Sequence, residues 1–119
     1  MASAVLTPAE KQVLRRQSEI CKTLANPKRM EILHALRDGE KGVSELCIAT
    51  GLRQATVSQH LAIMRHRKIV IERRAGNSVL YRIVDKRINK ACDIMREVLL
   101  HQASEDSKLV QLVSASDRS

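Results

Sequence analysis

In the stretch GLRQATVSQHLAIMRHRKIV, residues 51–70, the apolar and polar side chains have different jobs. Val57, Leu61 and Met64 fall at i, i+4 and i+7, one buried stripe of a helix. Around them stand Arg53, Gln54, Thr56, Ser58, Gln59 and His60, forked, planar or short hydrogen-bonding groups with no acid among them. A solvated helix face normally mixes glutamate with lysine. These types instead suit base-pair edges: glutamine offers an amide donor and acceptor together to adenine, and arginine forks onto guanine. Threonine and serine serve base edges or phosphates alike. His60 lies beside the buried stripe, so packing and direct contact both remain open for it.

A polar helix face taken alone is usually just wetted. This one follows a glycine turn at Gly51 and precedes a basic cluster. From Arg53 to Arg74 there are six Lys/Arg residues (Arg53, Arg65, Arg67, Lys68, Arg73 and Arg74) against one acid, Glu72. Cations at the end of such a helix and on the strands after it are placed for phosphate and minor-groove contact. Lys28 and Arg29 sit in the first turn of another helix, where the helix dipole disfavours cations. A phosphate docked at that N-terminus would use their side chains and the free amides together. The alternative is that Arg29 pins its own helix internally.

The elements that must position these groups can be read from caps and periodicity. Thr7-Pro8-Ala9-Glu10 is a capping box with proline at N1, and it starts a helix running to about Ala25 with Leu14, Ile20, Cys21 and Leu24 on one side. Asn26-Pro27 opens a second helix that faces Met30, Ile32, Leu33 and Leu36 inward and ends near Asp38-Gly39. A third helix over Val43–Thr50 buries Val43, Leu46 and Cys47 and stops at Gly51. The fourth runs over about residues 54–67. β-Branched runs at Ile69–Arg74 and Ser78–Val84 then flank Ala75-Gly76-Asn77, a hairpin connection, so residues 73–78, including Asn77, form a wing. A fifth helix from about Lys86 to Gln102 carries Ile88, Cys92, Met95 and Leu99 as a 4-3-4 seam. The fold class expected is mainly α with a small β-hairpin: a winged helix-turn-helix in the order α1-α2-α3-α4-β-β-α5, filling residues 1–102. Residues 103–119 read as a polar, flexible tail with one short apolar island.

Composition agrees with a polyanionic partner. The 119 residues hold 21 Lys/Arg against 13 Asp/Glu, a net charge of +8. Tyr81 is the sole aromatic residue, which argues against a stacking platform for single strands and leaves double-stranded DNA. Cys21, Cys47 and Cys92 are too few and too far apart for a disulfide scaffold, and they form no CxxC pair for zinc. With no basic-then-apolar N-terminal run and no stretch near ~18 apolar residues, no membrane contact and a cytoplasmic location are expected. No nucleophile–base spacing suggests an enzyme, and no cofactor is implied.

The segments LANPKRMEIL, GVSELCIATGLRQATVSQHLAIMR and GNSVLYRI resemble the ArsR/SmtB family of winged-helix repressors over about residues 18–100. The resemblance implies a homodimer through helices 1 and 5, bound to an inverted repeat in its own promoter region. It places Leu14, Cys21, Ile88, Cys92, Met95 and Leu99 at the dimer interface. Two basic halves neutralising on the order of ten phosphates would make log K fall by about nine per unit of log[salt].

The family's sensory sites do not carry over. Gly42 and Ser44 occupy the cysteine positions of its third-helix metal motif. In the fifth helix Asp85 is present, but Arg87 and Val98 replace metal ligands, and an arginine cannot ligate a cation. His34 and Leu100 stand where persulfide-sensing members place their cysteines. No metal site is therefore assigned. Cys47 and Cys92 are explained as packing, but thiols at Cys21, Cys92 and Cys47 are also candidates for a switch answering an oxidant, reactive sulfur or a thiophilic metal. A repressor with no effector is the alternative, and a winged helix used for protein–protein contact is a remoter one. The latter predicts a neutral recognition helix, against the six cations seen.

Overall fold

Helix α1 (Pro8–Leu24) opens on the reciprocal cap expected of its sequence. Thr7 Oγ1 accepts from the Glu10 amide at 3.1 Å, and Glu10 Oε1 accepts from the Thr7 amide at 3.0 Å. Those bonds to the ionised form hold the Glu10 carboxyl below its usual range. The structure, a computed structural model, describes residues 5–103 and 107–118. It parts into two units, Met1–Asp85 and Lys86–Ser119, each taken by itself below.

In the first unit α1 is followed by α2 (Pro27–Ala35), which a short 3₁₀ turn, Leu36–Asp38, extends. Asn26 caps α2: its Oδ1 accepts from the amides of Lys28 at 3.0 Å and Arg29 at 3.1 Å. Ile32, Leu33 and Leu36 are buried as their spacing requires. Met30 is not: it is 44% exposed, so α2 presents a narrower apolar face than its composition suggests. Helix α3 (Val43–Thr50) buries Leu46, leaves Val43 and Cys47 half-buried, and ends at Gly51. Gly51 takes φ +74°, a left-handed conformation that costs glycine little, and its amide donates to the Cys47 carbonyl at 2.8 Å.

Three residues later α4 (Gln54–His66) begins. Val57, Leu61 and Met64 are its buried residues, and each contributes roughly 1.5–3 kcal/mol by leaving water. The helix closes with a Schellman turn in which Ile69 N–H donates to the Met64 carbonyl at 2.9 Å. That turn needs a left-handed residue, and Lys68 supplies it at φ +60°. Ile69 and Val70 then enter the core.

Strands β1 (Val70–Ala75) and β2 (Ser78–Ile83) pair antiparallel, with Val70 opposite Ile83 and Ala75 opposite Ser78. The connection is thus two residues, Gly76-Asn77, one shorter than the sequence indicated, because Ala75 joins the ladder. Lys41 adds a rung on the far side of β2, exchanging two backbone hydrogen bonds of 3.0 and 2.9 Å with Tyr81. The wing is therefore anchored at its base to the segment that leads into α3.

The second unit holds α5 (Arg87–Gln102) and α6 (Ser107–Arg118). No residue of α5 is buried, although Ile94, Met95, Val98 and Leu99 all lie along it, Met95 being 66% exposed. Where a flexible tail was expected, residues 107–118 are helical. The apolar island was the signal: Leu109, Leu112 and Val113 recur at i, i+3 and i+4. Residues 104–106 and 119 of that tail lie outside the described residues.

Candidate nucleic-acid interface

The α3–turn–α4 unit leaves Arg53, Gln54, Ser58 and Gln59 exposed, with Thr56 and His60 half-buried beside them. The first turn of α4 contains no acid, and the side chain of Arg53 at the N-cap makes no capping bond. Its amides therefore add partial positive charge to an already cationic end. Burying Val57, Leu61 and Met64 fixes which face this is, since those three leave only the opposite side free to point outward.

His60 is neither merely packed nor unattached. Arg29 reaches across from α2, and its Nε–H donates to His60 Nδ1 at 3.2 Å. The same guanidinium donates through Nη1 to the Thr23 carbonyl at the end of α1, at 3.0 Å. One side chain thus ties α1, α2 and α4. Partial burial, then the charges of Arg29 and Lys28, lower the His60 pKa and favour the neutral ring.

This geometry corrects the phosphate site expected at the start of α2. The Lys28 and Arg29 amides already share Asn26 Oδ1, and the Arg29 guanidinium is committed within the fold. Lys28 stays exposed nearby. The sequence kept internal pinning open for Arg29, and pinning is what the structure has.

The basic cluster divides in two. Arg65 pairs with Glu72 at 2.7 Å and Arg67 with Glu19 on α1 at 3.2 Å. Arg73 is held in bidentate fashion by Glu40, with Nε–Oε2 at 2.9 Å and Nη2–Oε1 at 2.8 Å. That pairing lowers the Glu40 pKa and raises that of Arg73. Arg53, Lys68 and Arg74 are exposed and have no ion pair among the described residues. Asn77 is exposed at the wing tip. Tyr81, half-buried on β2, has its pKa raised by burial and by the neighbouring Glu72 carboxylate.

Glu40 and Glu72 are ion-pair partners that the sequence does not reveal, where Glu72 is one acid among six cations. Glu40 lies 33 positions from Arg73, and no periodicity links a loop acid to a wing arginine before the hairpin is folded.

Of the candidate interface residues, Leu14 and Cys21 are exposed on α1. On α5, Met95 and Leu99 are exposed while Ile88 and Cys92 are half-buried. All three cysteines are thiols, with Cys47 half-buried on α3. Among the described residues no helix is long and apolar enough to cross a membrane.

Comparison with known proteins gives a consistent answer. The family profile "Bacterial regulatory protein, arsR family" matches residues 26–71, from the α2 cap through the turn and α4 into β1. The HTH-type transcriptional repressor SmtB of Mycobacterium tuberculosis is 34% identical over 100 residues, 84% of this chain and 71% of that protein. The HTH-type transcriptional regulator NmtR of the same species is 33% identical over 86 residues, 72% of each chain. Among solved structures, the homodimeric winged helix-turn-helix DNA-binding domain of Mb0332 from Mycobacterium bovis superposes with TM-score 0.72 at 27% identity, covering 86% of this chain and 95% of that one. The order of elements, the glycine turn, the polar α4 and the wing place this chain, like those relatives and unlike an enzyme, in the ArsR/SmtB family of winged helix-turn-helix transcriptional regulators.

Proposed function

We propose that this protein is a homodimeric repressor that lays α4 of each protomer in the major groove of an inverted repeat in promoter DNA. Residues 1–102 form its DNA-binding and dimerisation domain. Arg53, Gln54, Thr56, Ser58 and Gln59 meet base edges and phosphates, while Lys68, Arg74 and Asn77 reach the backbone or minor groove from the helix end and wing. Arg65 and Arg73 flank that surface in their ion pairs, and Lys28 and His60 complete it toward α2. The observation that carries the reading is the exposed, acid-free polar face of α4 with unpaired cations at both its ends. Two such helices would stand about 34 Å apart, one DNA turn, or a multiple of it.

Helices α1 and α5 supply the dimer interface. Each has large apolar side chains left in water, Val13, Leu14 and Ile20 on α1 and Ile94, Met95, Val98 and Leu99 on α5. Exposed stripes of this kind gain from a second copy. Thiols on the same two helices, Cys21 and Cys92, make a thiol-reactive signal the favoured means of release, with Cys47 as packing; an effector-independent repressor is the competing reading.

The test is fluorescence anisotropy of a labelled duplex from upstream of its own gene, with reduced and mildly oxidised protein. Salt-sensitive binding that collapses on oxidation, and survives it when Cys21 and Cys92 are serine, supports the whole proposal. Equal binding in both states assigns the cysteines to packing. No binding to that or other promoter fragments refutes the DNA-binding assignment.

A further inference from the structure

The contact between Arg29 and His60 has a chemical direction. Arginine has five N–H donors and no acceptor, so a hydrogen bond from Arg29 Nε to His60 Nδ1 at 3.2 Å requires a lone pair on Nδ1. A neutral imidazole that accepts at Nδ1 must carry its proton on Nε2. Arg29 cannot swing away freely, because its Nη1 is also bonded to the Thr23 carbonyl at 3.0 Å. The ring is half-buried on the flank of α4, one turn beyond Thr56, with Lys28 close enough to act on its charge.

We propose that Arg29 is a positioning residue for DNA binding: it locks His60 as the Nε2–H tautomer, so that the recognition helix presents one fixed donor to a phosphate oxygen of the duplex. A phosphate is the acceptor because the surroundings are cationic. His60 Nε2 takes no hydrogen bond among the described residues and is not buried, so Arg29 and Lys28 attract an anion to a donor that reaches solvent, and they disfavour a second proton on the ring. Arg29 thus acts on DNA through His60, not by touching it. The inference rests on α4 being the helix that meets DNA.

Two measurements test the two halves separately. In ¹⁵N-labelled full-length protein without DNA, long-range ¹H–¹⁵N correlations read each ring nitrogen directly. His60 should show an unprotonated Nδ1 and a protonated Nε2 at neutral pH in the wild type, and a mixture of tautomers in Arg29→Met. An Nδ1–H tautomer or an imidazolium in the wild type overturns the proposal without reference to DNA.

The second measurement is anisotropy with two labelled duplexes, one from upstream of the gene and one of unrelated sequence. Glutamine places an amide N–H where Nε2–H stands, and asparagine does not reach it. His60→Gln should therefore bind within about twofold of wild type, while His60→Asn loses about a hundredfold on both duplexes, the scale of two hydrogen bonds to charged acceptors, one from each protomer. Arg29→Met should lose only the few-fold by which the Nε2–H population falls, Arg29→Lys no more than that, and Arg29→Met combined with His60→Asn no more than His60→Asn alone. Losses that multiply in the double variant would make Arg29 an independent contact and refute positioning. Loss on the upstream duplex alone would move the acceptor to a base edge and refute the phosphate assignment. Gln54→Ala is the control: if it and every His60 variant bind like wild type, α4 is not the DNA-facing helix and the DNA half falls, while the tautomer result still stands or fails by itself.

Discussion

Removing the carboxylate of Glu40 should make DNA binding tighter and more sensitive to salt. In the free protein Glu40 holds both arms of Arg73 at 2.9 and 2.8 Å. If Arg73 leaves Glu40 for a phosphate, the carboxylate stays beside the DNA, so the pair delivers no net charge whichever partner Arg73 takes. The pairs Arg65–Glu72 and Arg67–Glu19 cancel in the same way. Of the six cations from Arg53 to Arg74, only Arg53, Lys68 and Arg74 then count in full, about six in a dimer. Counterion release at these cations then contributes roughly −5 to the slope of log K against log[salt], not the −11 or so that all twelve would contribute. Between about 50 and 200 mM salt that is a loss on the order of 10³-fold in place of 10⁶-fold. Glu40→Gln frees one Arg73 per protomer and should steepen the slope by roughly 2, and Arg74→Gln should flatten it by roughly 2. The double variant Glu40→Gln/Arg73→Gln should leave it unchanged. Anisotropy titrations of one duplex at four or five salt concentrations read all of these. If the double variant flattens the slope as much as Arg74→Gln does, the cancellation argument is wrong and Arg73 binds phosphate despite its partner.

Other consequences are open to simpler measurements. Lys68→Gly relieves a left-handed lysine, so the urea midpoint should rise by the equivalent of up to about 1 kcal/mol while the salt slope flattens by roughly 2. Asn26→Ala leaves the Lys28 and Arg29 amides without their acceptor and should cost about 1 kcal/mol by the same urea assay. Because folding lowers the His60 pKa, the unfolded chain binds more protons in that window; stability should fall as pH drops below the ordinary histidine value of 6.5 and level off once the folded ring protonates. His60→Gln should remove that part of the slope, and an unaltered pH–stability curve would count against the shift. Met95→Glu puts a charge on the exposed apolar stripe of α5 and should shift sedimentation velocity from dimer to monomer; a variant that stays dimeric would place the interface elsewhere.

The elements were legible because each carries its own local signal. Thr7-Pro8, Asn26-Pro27, Gly51 and Gly76-Asn77 announce starts, stops and turns within a few residues of sequence, and the structure uses each of them. The buried stripe of α4 was legible for the same reason, since periodicity is a property of one segment. Side-chain pairing is not. Arg29 and His60 lie 31 positions apart, and Arg67 and Glu19 lie 48 apart. Only the packed fold decides which cation meets a carboxylate or a ring nitrogen and which remains for a ligand. Charge counting therefore overstates the electrostatic surface by the number of cations the fold has already used, and Arg29, pinned to His60 and the Thr23 carbonyl, is one of them. Met30 errs for a related reason: an apolar residue at the right spacing is buried only if a neighbouring element arrives to cover it, and none in its unit does. The apolar faces of α1 and α5 pose the same problem with the opposite resolution. Their side chains are spaced for burial and left in water, and the dimer proposed above would cover them with the same two faces of a second copy.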